Sequence, residues 1–355
     1  MKKIRIDKKL IGDGEPLYFV ADIGANHDGD INRAFKLIEL AKEAGADAAK
    51  FQNFKASKIV SQKGFNSLVT QLSHQSKWKK SVYEVYKDAS LPYDWTARLK
   101  EKCDEVGIEY FTSPYDFETV DKVDPYVNVY KIGSGDVTWH EIIEYIASKG
   151  KPVFIATGAS TMEEVKMVMD ILQKKTKDIV LMQCNTNYTA SLENFKYINL
   201  NVLKTYRELY PDVVLGLSDH TYGYATVLGA VALGARVFEK HFTDDNNREG
   251  PDHKFSMNPK SWREMIEHAK KLYLALGDGE KKIEANEENT SIVQRRCLRL
   301  AKDFKKGHVL KKEDLFPLRP RNENGISPYE IDKLLDKVLK RDMLIDDYIS
   351  WEDIE

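Results

Sequence analysis

The sequence has few cysteines, only Cys103, Cys184 and Cys297 among 355 residues. They lie far apart, so they form neither the paired framework of a small disulfide-stabilised protein nor the cysteine cluster of a structural zinc site. The pattern predicts three reduced thiols, as expected of a cytoplasmic protein.

Signals for export or for a membrane are also missing. The first residues read MKKIRIDKKLIGDG and contain no apolar core and no small-residue cleavage site. The most apolar stretch, residues 225–237, is too short to cross a bilayer, contains glycine and is followed by charged residues. We therefore expect a cytoplasmic protein that does not interact with a membrane.

The chain has no large excess of charge of either sign, since its formal net charge is −2. A surface that binds nucleic acid is therefore not expected. An anionic ligand must instead be bound by a few well-placed cations. Hydrophobic residues make up 42% of the chain, which is enough for a large buried core.

What the sequence does contain is a regular alternation of short apolar runs with amphipathic, helix-like stretches. Most runs are continuous, which is typical of parallel strands buried on both faces. Eight of them begin at Leu17, Ala48, Glu109, Val129, Pro152, Ile179, Val213 and Arg236. Asp30 and the box formed by Thr161 and Glu164 are expected to cap two of the intervening helices.

Eight strand–helix units predict an α/β fold of the (β/α)₈ TIM-barrel type. A doubly wound sheet is the alternative, but the first unit lacks the G-x-G-x-x-G turn of a dinucleotide-binding fold. The connection over residues 57–95 is expected to form an extended loop with extra helix over the barrel mouth. We predict a barrel domain over residues 1–280, a polar linker over 281–292 and a small C-terminal domain over 293–355.

Polar side chains follow the predicted strands at their C-terminal ends, where TIM barrels carry their catalytic groups. These residues are Asp22, Lys50, Gln52, Ser113, Tyr115, Ser134, Asp136, Thr157, Asn185, Asn187, Asp219, His220, Glu239 and His241. Because every strand end contributes, helix capping alone does not explain the pattern. The sequence therefore predicts an active site at this face of the barrel.

His220 and His241 end neighbouring strands, so both imidazoles are expected to reach one divalent ion with open positions for water and substrate. Imidazole suits manganese, iron, cobalt or zinc better than magnesium. Lys50, facing Ser113, Ser134 and Thr157, is expected to bind a phosphate or carboxylate. A Schiff-base role for Lys50 or Lys240 is the competing chemistry, and the metal pair makes it unnecessary.

Several runs, taken in order, resemble the N-acetylneuraminate (sialic acid) synthase family. They are ADIGANHDG, AAKFQNF, FTSPYD, YKIGSGD, ATGAS, GLSDHT and EKHFTDDNNREGPDHKFSMNP. The resemblance extends over nearly the whole chain and includes an antifreeze-like (SAF) domain after residue 290. It implies condensation of phosphoenolpyruvate with an acylamino aldose, with release of phosphate.

The resemblance also implies roles for individual residues. His220 and His241 match the metal ligands, with manganese expected and magnesium or cobalt as alternatives. Lys50, Ser113, Ser134 and Thr157 match positions around phosphoenolpyruvate. Arg319 matches an arginine that reaches the sugar in the partner subunit's barrel, which implies a domain-swapped homodimer. The other expected substrate contacts are Gln52, Tyr115, Asp136, Asn185, Asn187, Tyr188, Ser218 and Asp252.

Departures from the family pattern leave the sugar open. Members that accept N-acetylmannosamine usually carry Glu where this chain has Asp22 and Asp136, and His where it has Phe51 and Asn53. Near the sixth strand, Thr186 stands where the pattern has asparagine. A diacetamido-trideoxy sugar, leading to a legionaminic- or pseudaminic-type acid, is as plausible as N-acetylmannosamine.

The expected mechanism is attack of the C3 carbon of phosphoenolpyruvate on the sugar aldehyde, followed by addition of water at C2. Asp22 is the first choice for the acid–base carboxylate and Glu239 the second. One rival reading is a synthase of eight- or seven-carbon sugar acids from a phosphorylated aldose, which would need further cations. Another is a glycan-binding protein whose barrel has lost activity.

Overall fold

The computed structural model describes residues 2–68, 75 and 78–355. It consists of two compact units, Met1–Gly277 and Asp278–Glu355. In the described part of the chain, no helix is both long and apolar enough to cross a membrane.

The first unit contains a closed barrel of eight parallel strands, in which the last strand pairs with the first. The strands are β3 (Tyr18–Asp22), β4 (Ala48–Asn53), β5 (Glu109–Pro114), β6 (Tyr130–Ile132), β7 (Val153–Ala156), β8 (Ile179–Cys184), β9 (Val214–Asp219) and β10 (Val237–His241). Each corresponds to one of the predicted apolar runs. The TIM-barrel prediction is therefore confirmed.

Helices connect the strands. They are α1 (Ile31–Glu43), α2 (Ala56–Ile59), α3 (Gln62–Asn66), α4 (Val82–Ala89), α5 (Tyr93–Val106), α6 (Phe117–Val123), α7 (His140–Ser148), α8 (Met162–Lys175), α9 (Val202–Leu209), α10 (Ala225–Ala232) and α11 (Pro259–Ala275). Asp30 caps α1, and Thr161 with Glu164 forms the capping box of α8, as predicted. The connection over residues 57–95 contains α3 and α4, while residues 69–74, 76 and 77 of it lie outside the described part.

Alternate residues of each strand belong to two separate hydrophobic clusters. Tyr18 and Val20 of β3 belong to the cluster that fills the barrel. Phe19 and Ala21 belong to the cluster between the barrel and its helices. This period of two decides which strand-end side chains face the barrel interior and which face the helix layer.

A short hairpin precedes the barrel and was not predicted. Its strands, β1 (Lys3–Ile6) and β2 (Lys9–Gly12), pair antiparallel. Ile4, Ile6 and Ile11 are at most 2% exposed and join the cluster that fills the barrel. The hairpin therefore closes the barrel at the end where the strands begin.

The second unit has a core of its own, which includes Leu298, Leu310 and Ile349. Its helix α12 (Glu288–Val293) precedes the antiparallel pair β11 (Cys297–Leu300) and β12 (Leu315–Leu318). Two similar turns recur in it. In each, an aspartate accepts a hydrogen bond from the backbone three residues earlier, Asp314 from Lys311 and Asp353 from Ser350.

Candidate active site

Four charged side chains lie inside the barrel near the C-terminal ends of its strands and are at most 5% exposed. They are Asp22, Lys50, Lys131 and Glu239, and we call them the charge cluster. Lys50 Nζ lies 2.6 Å from Asp22 Oδ2 and 3.8 Å from Glu239 Oε1. Lys131 Nζ lies 3.4 Å from the same Glu239 oxygen. Two ammonium groups and two carboxylates thus compensate each other in a buried space.

Neutral side chains complete the surroundings of the two carboxylates. Gln52 Nε2 donates to Asp22 Oδ2 over 3.2 Å, and Ser218 Oγ donates to Glu239 Oε1 over 3.3 Å. Glu239 Oε2 is buried and has no hydrogen-bond partner among the described residues. A buried carboxylate oxygen without a partner is costly, so this atom is available to a ligand or to water.

The protonation state of the Lys50 amine decides whether this residue can form a Schiff base. Burial alone would lower the pKa of Lys50, but the charges of Asp22 and Glu239 raise it above the usual value. A protonated amine is not a nucleophile, so the site disfavours Lys50 as a Schiff-base former. Lys240 faces the helix layer, where its ammonium pairs with Asp219. It does not share the barrel interior with Lys50.

Lys131 was missed by the sequence analysis. It occupies the central position of β6, one residue before the apolar Ile132 and one after Tyr130. Tyr130 and Ile132 belong to the outer cluster, so the period of two points Lys131 inward. The only trace in the sequence is a lysine between two apolar residues, and a strand of three residues is too short to show which face that lysine takes.

The two predicted metal histidines lie side by side, with ring centroids 5.5 Å apart. Burial lowers the pKa of His241 to about 3, so its ring is neutral at neutral pH. His220 Nδ1 lies 3.1 Å from the carbonyl oxygen of Asn185. Because a carbonyl only accepts, the proton of a neutral His220 is on Nδ1 and its Nε2 carries a lone pair.

These side chains fit a divalent ion. His241 Nδ1 is buried without a hydrogen-bond partner among the described residues, and Asp252 Oδ2 lies 3.6 Å from it. Asp22 Oδ2 lies 3.5 Å from His241 Nε2. Across residues 2–68, 75 and 78–355, no group of three or more His, Cys, Asp or Glu side chains is arranged so that it could hold a metal ion. Two imidazoles with carboxylates nearby match an open site, in which substrate or water supplies the remaining ligands.

Aromatic rings surround the histidine pair. The ring of Tyr188 lies 4.2 Å from that of His220, and the ring of Phe255 lies 4.9 Å from that of His241. These rings narrow the space beside the imidazoles. Tyr188, predicted as a substrate contact, thus lies beside the histidine pair.

The predicted anion-binding hydroxyls divide into two groups. Ser113 is buried on β5, in register with Gln52. Ser134 Oγ accepts a hydrogen bond of 2.9 Å from Gly158 N. Tyr115 lies beside the same loop, since its hydroxyl would be 3.3 Å from a Cβ on Gly133. These three residues stand at neighbouring strand ends near the charge cluster.

Thr157 was predicted to face Lys50, and its hydrogen bonds contradict that prediction. Its Oγ1 lies 2.9 Å from the Tyr206 hydroxyl of α9 and 2.9 Å from the carbonyl oxygen of Met182. By the period of two, Ala156 faces the barrel and Thr157 the helix layer. The hydroxyl of Thr157 therefore does not face Lys50.

The alternation of side chains along β4 also shows that two departures from the family pattern, Phe51 and Asn53, do not bear on the choice of sugar. Phe51 packs on Tyr110 in the outer cluster. Asn53 Nδ2 donates to Thr96 of α5 over 3.1 Å. Both positions face the helix layer, so they do not contact a ligand inside the barrel.

The loop after β8 holds the remaining asparagines. Asn185 Nδ2 donates to the carbonyl oxygen of Tyr197 over 3.2 Å, and its own carbonyl contacts His220. Asn187 is exposed, and its Oδ1 accepts hydrogen bonds from Thr189 and Asn194. Asn185 thus positions His220 through its backbone, while the Asn187 side chain is engaged within the loop. Arg319 lies exposed in the second unit, and its role toward a partner's barrel stays a prediction.

Asp136 follows β6, and burial raises its pKa to about 6, an effect that Lys131 partly opposes. Between pH 4 and pH 6 the folded protein therefore binds a proton that the unfolded chain, with the ordinary value of 3.8, releases. Through this group the free energy of unfolding falls as the pH rises across that interval, by roughly 2 kcal/mol.

We expect Asp136→Asn to remove this dependence, because the amide mimics the protonated acid. The variant should equal the parent in stability near pH 4 and exceed it by roughly 2 kcal/mol at pH 7. Denaturant unfolding of both proteins at the two pH values measures the difference. A constant difference between parent and variant would contradict the raised pKa.

Three known proteins are similar to this chain over most of its length. The chain is 33% identical over 353 residues to N,N'-diacetyllegionaminic acid synthase of Legionella pneumophila, covering 97% of this chain and 96% of that one. It is 32% identical to pseudaminic acid synthase of Campylobacter jejuni, covering 96% and 97%. The solved N-acetylneuraminic acid (sialic acid) synthetase of Leptospira borgpetersenii aligns with a TM-score of 0.72 at 26% identity, covering 81% and 95%.

Family models match both units. The SAF domain matches residues 295–355. The NeuB family matches residues 37–281, which contain Lys50, Lys131 and both histidines. The chain is therefore a member of the NeuB family of synthases that carries a C-terminal SAF domain.

Proposed function

We propose that this protein is a nonulosonic acid synthase, which condenses phosphoenolpyruvate with an acylamino aldose and releases phosphate. The observation that carries the proposal is the charge cluster beside a histidine pair at one end of the barrel. The cluster offers cations to phosphate and carboxylate groups, and the histidines offer ligands to an ion. The full-length similarity to legionaminic and pseudaminic acid synthases supports the same class.

Phosphoenolpyruvate would bind at Lys50 and Lys131, with Ser113 and Ser134 as further donors. Asp22 and Glu239 already compensate the two lysines. A strongly charged anion therefore binds favourably only if further positive charge accompanies it. This electrostatic balance supports a divalent ion in the substrate-bound enzyme.

His220 and His241 would hold that ion. Manganese is the first candidate, with magnesium or cobalt as alternatives. A bound divalent ion would supply Lewis-acid polarisation of the aldehyde oxygen. Asp252, on the loop after β10, lies beside His241 and would contact the aldose.

The protein's own groups would then direct the bond changes. Lys50 and Lys131 would hold phosphoenolpyruvate so that its C3 carbon meets the aldehyde carbon. A C–C bond forms as the C2=C3 double bond and the π bond of the aldehyde open, and the aldehyde oxygen takes up a proton and becomes a hydroxyl. Water adds to the cationic C2 carbon, and the C2–O bond to phosphate breaks as the new C2 hydroxyl loses its proton and becomes a keto group. Asp22 is proposed to accept the proton of this water, with Glu239 as the second candidate because its Oε2 has a vacant acceptor position.

The sugar is proposed to be an unphosphorylated acylamino aldose. A diacetamido-trideoxyhexose and N-acetylmannosamine are the two candidates. Asp22, Asp136 and Thr186 are the departures that remain once Phe51 and Asn53 are set aside. A phosphorylated aldose would need further cations. The nearby Arg33 and Arg248 are already paired with Asp244 and Asp28. A binding protein without activity would not need the intact cluster.

Arg319 is proposed to act in a second copy of the chain, within a domain-swapped homodimer in the cytoplasm. This proposal rests on the family resemblance and on its exposed position in the SAF domain. A mixture of two variant chains tests this proposal. One chain carries Arg319→Ala and the other an inactive barrel, and activity of the mixture would show that Arg319 of one copy acts in the barrel of the other.

The function is tested by phosphate release from phosphoenolpyruvate with manganese across a panel of aldoses, with mass spectrometry of the products. We expect release with one acylamino aldose and a product whose mass is the sum of the aldose and the pyruvate unit. Release only with a phosphorylated aldose of five or four carbons would favour the eight- or seven-carbon alternative. No release with any aldose, in a protein that binds neither manganese nor phosphoenolpyruvate, would refute the proposal.

A further inference from the structure

The loop after β10, residues 242–258, bends back onto the strand that it leaves. Met257 N donates to the carbonyl oxygen of His241 over 2.8 Å, and Thr243 N donates to that of Met257 over 2.9 Å. Asp252 lies within this loop, with its Oδ2 3.6 Å from His241 Nδ1. The place of Asp252 therefore depends on how the loop is held.

A buried imidazole ties this loop to another one. The side chain of His253 is 0% exposed, and both of its ring nitrogens are engaged. Nδ1 lies 2.7 Å from Thr243 Oγ1, and Nε2 lies 2.9 Å from Asp28 Oδ1. Because a carboxylate only accepts, the Nε2 proton is donated to Asp28. His253 thus connects the loop after β10 to the loop after β3.

Asp28 is held in an unusual backbone conformation, with a φ of 51°. Its other carboxylate oxygen, Oδ2, accepts a hydrogen bond of 2.9 Å from Arg248 Nε and lies 3.1 Å from Arg33 Nε. Burial alone would raise the pKa of Asp28, but the His253 and Arg248 hydrogen bonds hold it below its usual value. A left-handed conformation at a residue other than glycine is uncommon and persists where the surroundings fix it.

The loop after β3 also holds Asp252 directly. Ala25 N donates to Asp252 Oδ2 over 2.9 Å. A Cβ on Gly24 would lie 2.7 Å from the same oxygen, so the backbone approaches it closely. Two contacts therefore fasten the same two loops. The Ala25–Asp252 contact lies beside the histidine pair, and the Asp28–His253 contact lies away from it.

We propose that Asp28 and His253 are positioning residues for the aldose: they fasten residues 242–258 to the loop after β3 and so hold Asp252 against His241. The proposal rests on the proposed function, in which Asp252 contacts the aldose. Lys50 and Lys131, the proposed ligands of phosphoenolpyruvate, lie on β4 and β6 and do not bond to this pair. Loss of the Asp28–His253 contact should therefore weaken binding of the aldose and leave binding of phosphoenolpyruvate unchanged.

His253→Phe keeps an aromatic ring but removes both hydrogen bonds. We expect the KM for the aldose to rise about tenfold or more, as for loss of one charge-assisted hydrogen bond, while the KM for phosphoenolpyruvate stays within about twofold. His253→Gln keeps a donor toward Asp28 and should recover part of the loss. Asp28→Asn, which keeps the backbone preference, should raise the KM for the aldose in the same selective way.

Amide hydrogen exchange gives a readout that needs no substrate. In His253→Phe, exchange over residues 244–256 should accelerate about tenfold, while exchange in the barrel strands stays unchanged. The matched control is Glu249→Gln on the same loop. Its side chain is 87% exposed and forms a surface ion pair with Lys79, so neither exchange nor KM should change.

Unchanged exchange in His253→Phe would overturn the proposal, and so would faster exchange with an unchanged KM for the aldose. An equal rise in both KM values would overturn it as well, because it would indicate a general structural role. If His253→Phe does not fold, Asp28→Asn decides by the same criteria. A parent protein that releases no phosphate with any aldose and binds neither manganese nor phosphoenolpyruvate would refute the proposed function, while the exchange result would still decide whether the two loops are fastened.

Discussion

His241→Ala should abolish manganese-dependent release of phosphate from phosphoenolpyruvate. The neutral ring of His241 and the nearby ring of His220 are the proposed ligands of the ion. Replacing groups that merely support metal ligands already lowers affinity or activity by about 10- to 100-fold, so loss of a ligand should exceed 100-fold. Turnover and manganese affinity, measured by calorimetry, should fall together.

A suitable control is His268→Ala. His268 lies exposed on α11, where its ring stacks on Tyr224. Its loss should leave manganese affinity and turnover unchanged. Full activity of a metal-free His241→Ala protein would contradict the proposed use of the ion.

Lys131→Met should lower kcat/KM for phosphoenolpyruvate by about 100-fold or more, the range found when one donor to a developing charge is removed. The substitution keeps the length of the side chain but removes its charge. Glu239 would lose its nearer cation and retain Lys50 at 3.8 Å. Binding of phosphoenolpyruvate, followed by calorimetry in the presence of manganese, should weaken in parallel.

Lys240→Met provides a matched comparison. Lys240 is also a strand lysine, 2% exposed and paired with a carboxylate, but it faces the helix layer. We expect this variant to lose stability, because Asp219 is left buried and unpaired, while its folded fraction keeps its KM for phosphoenolpyruvate. Equal effects of the two substitutions on that KM would argue against Lys131 as a ligand of phosphoenolpyruvate.

The barrel could be predicted from the sequence because its strands are continuous apolar runs separated by amphipathic helices. The same continuity hid the direction of the side chains. Where both faces of a strand are buried, polarity marks the end of the strand but not the face. Thr157 was assigned to the site for that reason, and Phe51 and Asn53 were counted as departures that bear on the sugar. The period of two turns all three toward the helix layer.

The rest of the site could not be predicted because it depends on contacts between distant parts of the chain. Asp28 and His253 are 225 residues apart in sequence, and no local pattern pairs them. Lys131 lies on a three-residue strand, too short for its alternation to be recognised. The hairpin before the barrel was missed because its strands have only four residues each.

That hairpin has a consequence for synthesis on the ribosome. Ile4, Ile6 and Ile11 are buried against strands that include β10, which ends at His241. At about 5–20 residues per second, the ribosome needs on the order of 10–50 s to reach β10 after completing the hairpin. During that time the apolar face of the hairpin has no complete barrel to cover it. Burial of these three isoleucines therefore has to wait until β10 has been synthesised and the barrel can close.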